Sequence, residues 1–531
     1  MEKAILELLN KNIQTRQELL RAKREIAKKF KLAIFENSKI IKEYQKLVKN
    51  KKIETSPVLE KLLRKRSIRT LSGIASVSVL TKPFGCPENC VYCPTEARVP
   101  KSYLSNEPAV MRAIRHKYDP YNQVQARLQS LINNGHFPTK IELIVIGGTW
   151  SALPDKYKYW YITECFKAAN EYGSVTQKNN SELKTTNSKL NINLLKKRLL
   201  EEQKKNENAK YRIVGLTLET RPDWINEKEL MKMREMGCTR VEIGVQIIDD
   251  AVLNKNNRGH GIKEVVDATK MLRDWGFKIT YHWMPALPGS TPKNDIEKFK
   301  TIFTDERFQP DQIKFYPTVV TQGSLLYEWW KAGEYIPYST EELENIITEC
   351  KKVVPPYVRI IRLIRDIPGE SIVAGNKITN LRQVLQQKGV QCQCIRCREP
   401  RELKIINYEL KIIDYKAANS TEYFISYESK NSKLLGFCRL RIPDQKSKYT
   451  SKYLKDCALI RELHVYGELS QLKSQTNVQH KGIGKQLMAE AEKIIIKNNL
   501  NKIAIISGVG VRGYYRKLGY RLHNTYMVKK M

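Results

Sequence analysis

Apolar residues recur at helical spacing from the start of the chain, as at Ile5, Leu8, Leu9 and Ile13, and this predicts helices within residues 1–70. From Ser72 the pattern changes to short apolar runs separated by helical stretches. Ile74–Leu80, Ile141–Ile146, Ile213–Leu218, Arg240–Val245, Lys278–Tyr281 and Gln312–Tyr316 read as strands. Strands that alternate with helices imply an α/β fold with a parallel sheet. Six of them ending near Tyr316 imply an incomplete parallel (β/α)6 barrel, with its chemistry at the C-terminal strand ends. New strand patterns at Tyr423–Tyr427, Leu434–Leu440, Ala458–Val465 and Lys502–Ile506, with a helix opening near Gly482, predict a second, mixed α/β module. The expected division is a basic helical segment at 1–70, the barrel at 71–355, a linker at 356–401 and the second module at 402–531. Residues 174–210, rich in Asn, Lys and Ser and without Gly, Pro or aromatic residues, read as a surface insertion. Within it Leu194, Leu195, Leu199 and Leu200 offer one short helix.

A chain of 531 residues is long enough for three or four domains. Its 93 basic and 56 acidic residues give a net charge of +37, which favours a polyanionic partner. Residues 1–70 hold 20 basic and 8 acidic side chains, so this segment contributes +12. That excess points to nucleic-acid contact, the alternative being a solvated helical face. No run reaches the ~18 apolar residues that cross a bilayer, and the start of the chain lacks the pattern of a secretory signal. A cytoplasmic location without a membrane partner is expected. The 11 cysteines include one cluster of three at 86–93 and another at 392–397, which suggests metal ligands rather than disulfides. Cys165, Cys238, Cys350, Cys438 and Cys457 stand singly and read as small core residues.

Cys86, Cys90 and Cys93 place three thiols in eight residues just after a strand. Three thiolates can hold a 4Fe-4S cluster with one iron left open, whereas a zinc site would need a fourth ligand from elsewhere. The aromatic Tyr92 before the last cysteine and the strand-end position favour iron-sulfur. The loop resembles that of the radical S-adenosylmethionine superfamily. The resemblance implies that the open iron binds the amino and carboxylate groups of S-adenosylmethionine, whose reductive cleavage gives methionine and a 5′-deoxyadenosyl radical. Gly147, Gly148 and Thr149 then stand where that superfamily has a Gly-Gly motif near the methionine moiety, although any tight βα turn also favours glycine.

The run Gln479–Lys485 lies between a strand and a helix, so its N–H groups can converge on a phosphate. It resembles the pyrophosphate loop of the GNAT superfamily of N-acetyltransferases. There the strand ahead of the loop pairs with the pantetheine arm of coenzyme A, and a late tyrosine faces the sulfur. Tyr515 is the candidate for that proton donor, with a core aromatic as the alternative.

Both halves together resemble one family, the tRNA uridine acetyltransferases that include the catalytic subunit of Elongator. The resemblance covers the chain from about residue 72. It rests on runs such as Asn106–Pro108, Met111–Arg115, Tyr118–Tyr121, Glu219–Asp223, Glu242–Gln246, Asn257–His260, Arg365–Pro368, Arg461–Gly467, Ile506–Gly510 and Tyr514–Tyr520. The spacing of Cys86 and Cys90 is narrower than in eukaryotic members, and residues 174–210 fall outside the shared pattern. The resemblance implies that the radical removes hydrogen from the methyl group of acetyl-CoA, that the carbon adds to C5 of the wobble uridine, and that thioester hydrolysis leaves a carboxymethyl group. It assigns acetyl-CoA contacts to Lys140, to Glu462, Leu463, His464 and Val465, to Ile483, Gly484 and Lys485, and to Tyr515. Apart from the resemblance, Lys140 reads as a solvated lysine. Lys314 and Tyr316 are candidates for the radical pocket by position at the end of the sixth strand.

Cys392, Cys394 and Cys397 place three more thiols in six residues between the two folded halves. Zinc with an unidentified fourth ligand is favoured over unpaired thiols. Arg112 and Arg115, with His116 and Lys117, are expected to meet tRNA phosphate, the alternative again being a solvated face. The expected partners are tRNA, acetyl-CoA and an electron donor, with Elongator-like subunits or self-association also considered. A protein acetyltransferase acting on histones, with a merely structural iron-sulfur domain, is the competing reading; basic histone tails are repelled by a +37 chain.

Overall fold

A computed structural model describes residues 2–64, 72–173, 191–400, 407–444, 446–467 and 482–531. Seven parallel strands form the first sheet in sequential order: β1 (Ala75–Leu80), β2 (Lys140–Ile146), β3 (Arg212–Thr220), β4 (Arg240–Gln246), β5 (Lys278–Trp283), β6 (Gln312–Phe315) and β7 (Arg359–Arg362). Each pairs only with its neighbours, so the curled sheet stays open between β1 and β7. Helices cover the outer face, and the strands are correspondingly apolar along their length, with Val77, Leu143, Leu218, Ile243, Ile279 and Ile313 in one core. The open barrel is as expected, with one strand more than six. β7 is a four-residue Arg-Ile-Ile-Arg segment, too short to alternate, and it joins the sheet through register with β6, Gln312 opposite Arg359 and Lys314 opposite Arg362.

A helix at Ile192–Asn206 lies within the stretch read as a surface insertion. Its Leu195 and Leu199 are buried in the barrel core, while Leu194 and Leu200 face outward. Asn206 ties its end to β3, accepting from Ile213 N–H at 2.7 Å and donating to the Tyr211 carbonyl at 3.2 Å. This half of the segment is therefore part of the crossover from β2 to β3. Its polar composition conceals a four-residue leucine spacing, which is enough for one buried stripe. Residues 174–190 lie outside the described residues.

Among the described residues four helices precede the barrel, at Glu2–Leu9, Arg16–Lys29, Asn37–Lys49 and Pro57–Leu63. Ile5, Leu8, Ile26, Ile40 and Leu47 give them a core of their own. Arg64 links them to the barrel by donating to the Gly135 carbonyl at 3.1 Å.

The second sheet contains β8 (Tyr408–Ala417), β9 (Ser420–Ser429), β10 (Leu434–Ile442), β11 (Ala458–Val465), β12 (Lys502–Ile505), β13 (Arg521–His523) and β14 (Tyr526–Lys530). Its order is β13-β14-β12-β11-β10-β9-β8. β8 to β11 form an antiparallel meander, and β11 pairs with β12 in parallel through the crossover helix Ile483–Lys497. This sheet docks at the N-terminal strand ends of the barrel. Arg461 of β11 grips Asp311, the residue before β6, at 2.6 and 2.8 Å, and Lys278 at the start of β5 binds Glu462 at 2.5 Å. Close backbone approach also joins the halves: a methyl group on Gly508 would lie 2.0 Å from the Val214 carbonyl oxygen of β3.

Candidate active site

A cavity of about 540 Å³ opens at the C-terminal ends of the barrel strands. Cys86, Cys90 and Cys93 line it from the loop after β1, and Gly147, Gly148 and Thr149 line it from the loop after β2. Gly147 has φ +132° and a side chain there would meet the Thr81 hydroxyl at 2.2 Å, so only glycine lets the loops after β1 and β2 approach this closely. The thiol loop is held by its backbone: Val91 N–H donates to the Asn256 carbonyl at 3.2 Å, and Thr95 N–H to that of Gly323 at 2.9 Å. Cys86 is exposed, Cys90 buried and Cys93 intermediate.

Arg258 brings charge to the thiols, with Nη1 3.4 Å from Cys90 Sγ and Nη2 donating to the Gly244 carbonyl at 2.8 Å. The Cys93 thiol and the Arg258 guanidinium hold the Cys90 thiol down at about 5. A thiolate at neutral pH is the form that binds metal. Around the same cavity Arg221 Nη1, Gln246 Oε1, Thr318 Oγ1 and Thr321 Oγ1 are buried with no hydrogen-bond partner among the described residues. Buried polar atoms are rarely left so, and the set offers donors and acceptors to a ligand with ammonium, carboxylate and hydroxyl groups. Three thiols beside these atoms fit an iron-sulfur cluster with S-adenosylmethionine.

Deeper in the cavity Lys314 of β6 forms an ion pair with Glu242 of β4, which is fully buried. His282 Nε2 lies 2.9 Å from the same carboxylate, and Arg240 Nη2 lies 3.5 Å from it. Burial alone would raise the Glu242 pKa, but Lys314, His282 and Arg240 together outweigh it and hold the carboxyl well below its ordinary range. Tyr316 packs edge-on to the His282 ring at 4.9 Å. The floor includes Ser76 of β1 and Arg240, close to the strand ends where the second sheet is docked.

In the second sheet β11 pairs with β12 only from Ala458 to Ile460, so Glu462, Leu463, His464 and Val465 leave an edge free of β12. Ile483, Gly484 and Lys485 begin the crossover helix beside this opening. A methyl group on Gly436 of β10 would meet the His464 carbonyl oxygen at 3.0 Å and Ile483 Cγ2 at 3.2 Å, which shows how closely the three segments converge. The Glu462 side chain is committed to the junction, with Arg439 Nε at 2.9 Å as well as Lys278. The His464 ring sits between Phe437 and Tyr466, and burial holds it down at about 4. Tyr515 is buried, its ring 5.2 Å from that of Tyr514, and burial pushes its phenol up. Gln479, His480 and Lys481 lie outside the described residues.

The structure thus brings Cys86, Cys90, Cys93, Gly147, Gly148, Thr149, Lys314 and Tyr316 to one cavity. Lys140, the Glu462–Val465 strand, Ile483–Lys485 and Tyr515 do not line it. Lys140 is exposed at the first residue of β2. Arg112 is half-buried, donates to the Ser78 carbonyl at 2.9 Å and lines the cavity, while Arg115 is exposed. Cys392, Cys394 and Cys397 have their sulfur atoms within 4.8 Å of one another. Sequence reasoning assigned no role to Arg221, Glu242, Arg258 or His282. A charged residue within an otherwise apolar strand, as at Glu242, was the available signal.

The Radical SAM superfamily pattern matches residues 81–300, the Radical SAM C-terminal domain 310–389 and the Acetyltransferase (GNAT) family 392–520. The tRNA uridine(34) acetyltransferase of Dehalococcoides mccartyi is 42% identical over 479 residues, spanning 88% of this chain and 100% of the relative. Elongator complex protein 3 of Homo sapiens is 38% identical over 499 residues, spanning 89% of this chain and 87% of the relative. The solved structure of the archaeal Methanocaldococcus infernus Elp3 with an N-terminal deletion aligns at TM-score 0.72 and 38% identity, covering 86% of this chain and 99% of that one.

Proposed function

Because the chain belongs to the family of tRNA uridine(34) acetyltransferases and Elongator complex protein 3, we propose that it places a carboxymethyl group on C5 of the wobble uridine of tRNA, with acetyl-CoA as the carbon source. The observation that carries this reading is the single cavity that joins the three thiols to Lys314 and Tyr316 and has its floor near the junction with the GNAT sheet.

In this reading Cys86, Cys90 and Cys93 hold a 4Fe-4S cluster, and Gly147, Gly148, Thr149, Arg221 and Gln246 meet S-adenosylmethionine. When bound, the pair supplies a primary carbon radical able to take hydrogen from the acetyl methyl group. The free edge of Glu462–Val465 takes the pantetheine arm, and the N–H groups of Ile483, Gly484 and Lys485 take the pyrophosphate. Lys140 extends these contacts to the barrel. Tyr515, kept protonated by burial, donates to the departing sulfur. Lys314 and Tyr316 orient the acyl group. Arg115 and the N-terminal helices attract the tRNA backbone, and the target base is unstacked to reach the cavity. Zinc on Cys392, Cys394 and Cys397 pins the segment between the sheets. An external electron donor reduces the cluster. Among the described residues no helix is long and apolar enough to cross a membrane.

The test is mass spectrometry of anticodon nucleosides after incubating the full chain with tRNA, S-adenosylmethionine, acetyl-CoA and dithionite. Carboxymethyluridine is expected from the wild type and not from Cys90→Ala. Unmodified tRNA from a cluster-loaded wild type, or acetylation of basic protein independent of Cys90, overturns the reading.

A further inference from the structure

The carboxymethyl reading needs a thioester to be hydrolysed after its carbon has been joined to uridine, and none of the residues discussed so far activates the water. His282, at the penultimate position of β5, is 5% exposed and lines the cavity. Its Nε2 lies 2.9 Å from Glu242 Oε2. Since Lys314, His282 and Arg240 keep Glu242 ionised, that carboxylate can only accept, so Nε2 carries the hydrogen. In the neutral ring the lone pair is then on Nδ1. Nδ1 lies 3.9 Å from Oε1 of Glu219 on β3, longer than a direct hydrogen bond. Glu219 is itself held, its Oε2 accepting from the Tyr103 hydroxyl at 3.2 Å. The charged and titratable groups around the ring are therefore Glu242 on β4, Glu219 on β3, and Lys314 and Tyr316 on β6.

A carboxylate on Nε2, an imidazole that lines the cavity and a second carboxylate 3.9 Å from Nδ1 are the parts of a general base. We propose that His282 is a catalytic residue that activates water for hydrolysis of the uridine-linked thioester, with Glu242 as its positioning residue. The proposal rests on the reading above. The water oxygen bonds to the thioester carbonyl carbon as Nδ1 takes its proton, and the C–S bond breaks. The departing thiolate takes its proton from Tyr515, which regains one from solvent, and the imidazolium and the new carboxylic acid each lose a proton to solvent. One water is consumed, free coenzyme A and a carboxylate are formed, and no electron is exchanged. Lys314, whose ammonium already pairs with Glu242, lies on the adjacent strand and faces the same cavity, where it can balance charge on the carbonyl oxygen.

The experiment uses the full chain loaded with cluster, with tRNA, S-adenosylmethionine, acetyl-CoA and dithionite, and reads three products: 5′-deoxyadenosine, free coenzyme A, and the uridine nucleoside still carrying the thioester. In His282→Gln the ratio of coenzyme A released to 5′-deoxyadenosine formed is expected to fall by about 10²–10⁴-fold, with the thioester-linked nucleoside accumulating. A wild-type ratio in His282→Gln overturns the proposal. A second measurement separates chemistry from folding: imidazole added to cluster-loaded His282→Gly should restore part of the coenzyme A release. No restoration in a folded variant that still forms 5′-deoxyadenosine also overturns the proposal. If the wild type releases no coenzyme A with tRNA present, the carboxymethyl reading itself fails and takes this inference with it. That outcome differs from a functioning wild type whose His282→Gln variant is unaffected.

Discussion

Asp311 is a buried carboxylate through which the two sheets hold each other, and its replacement by alanine has a calculable effect. The side chain is 1% exposed. Arg461 contacts both of its oxygens, at 2.6 and 2.8 Å, while Arg439 and Arg273 approach to 3.5 and 3.9 Å. Burial alone would raise its pKa, but Arg461, Arg439 and Arg273 outweigh that and hold the carboxyl far below its usual range. Removing one partner of a buried ion pair costs about 3–5 kcal/mol, because the other charge stays buried without compensation. Glu422 still accepts from Arg461 at 3.0 Å and from Arg273 at 2.8 Å, which argues for the lower end. About 3 kcal/mol is roughly a hundredfold in the unfolding equilibrium. All seven tryptophans lie at or before Trp330, in the barrel half, and Trp275 donates across the junction to the Tyr449 carbonyl at 2.9 Å. Tryptophan fluorescence in a denaturant titration therefore reports both docking and barrel unfolding. Asp311→Ala should lower the midpoint, and Asp311→Leu with Arg461→Met, which removes both charges, should recover much of the loss. The depressed pKa makes this stabilisation fully present above the unfolded value near ~4 and progressively lost as pH falls below it. The wild-type midpoint should accordingly drop more steeply below about pH 4 than that of the variant. An Asp311→Ala midpoint equal to that of the wild type would refute the reasoning.

Three further outcomes are expected. Gly508→Ala puts a methyl group 2.0 Å from the Val214 carbonyl oxygen, where backbone must move, so the same titration should show a loss of about 1–3 kcal/mol. Cys394→Ser should lower the zinc content of purified protein, measured by elemental analysis, whereas Cys438→Ser should not; a wild type that is folded and free of zinc refutes the site. Lys314→Ala should lower uridine modification by about a hundredfold or more, read by nucleoside mass spectrometry, and wild-type modification by this variant removes Lys314 from the mechanism.

What the chain declares locally and what only the fold assembles differ for physical reasons. Strands such as β2 and β4 are visible because helices bury their outer faces and force long apolar runs. β7 escapes notice because its four residues begin and end with arginine and acquire strand geometry only through pairing with β6. The helix Ile192–Asn206 is hidden by its polar composition. Both thiol clusters are visible because their spacing is covalent. Arg258 is not, since it reaches Cys90 across 168 positions, and the Glu242–Lys314 pair spans 72. Runs containing Arg258 and Glu242 were part of the family resemblance, but resemblance assigns no partner to a side chain, and here the partner determines the chemistry. His282 shows this most clearly: it is one imidazole at the end of an apolar strand, and only the fold places the Glu242 carboxylate of β4 2.9 Å from its Nε2.

The same argument explains why the junction matters to the site. Asp311 and Lys314 are three residues apart on and beside β6, a strand of only four residues. One end of this segment is clamped by Arg461, the residue next to the free edge Glu462–Val465, and the other end presents Lys314 and Tyr316 to the thiol cavity. Side chains alternate along a strand, so a slip of one residue in β6 would turn Lys314 away from Glu242 and free that carboxylate to regain a proton. The buried arginines at the junction therefore bear on where Lys314 and Tyr316 sit as well as on the attachment of the second sheet, and their influence reaches the cavity through a single short strand.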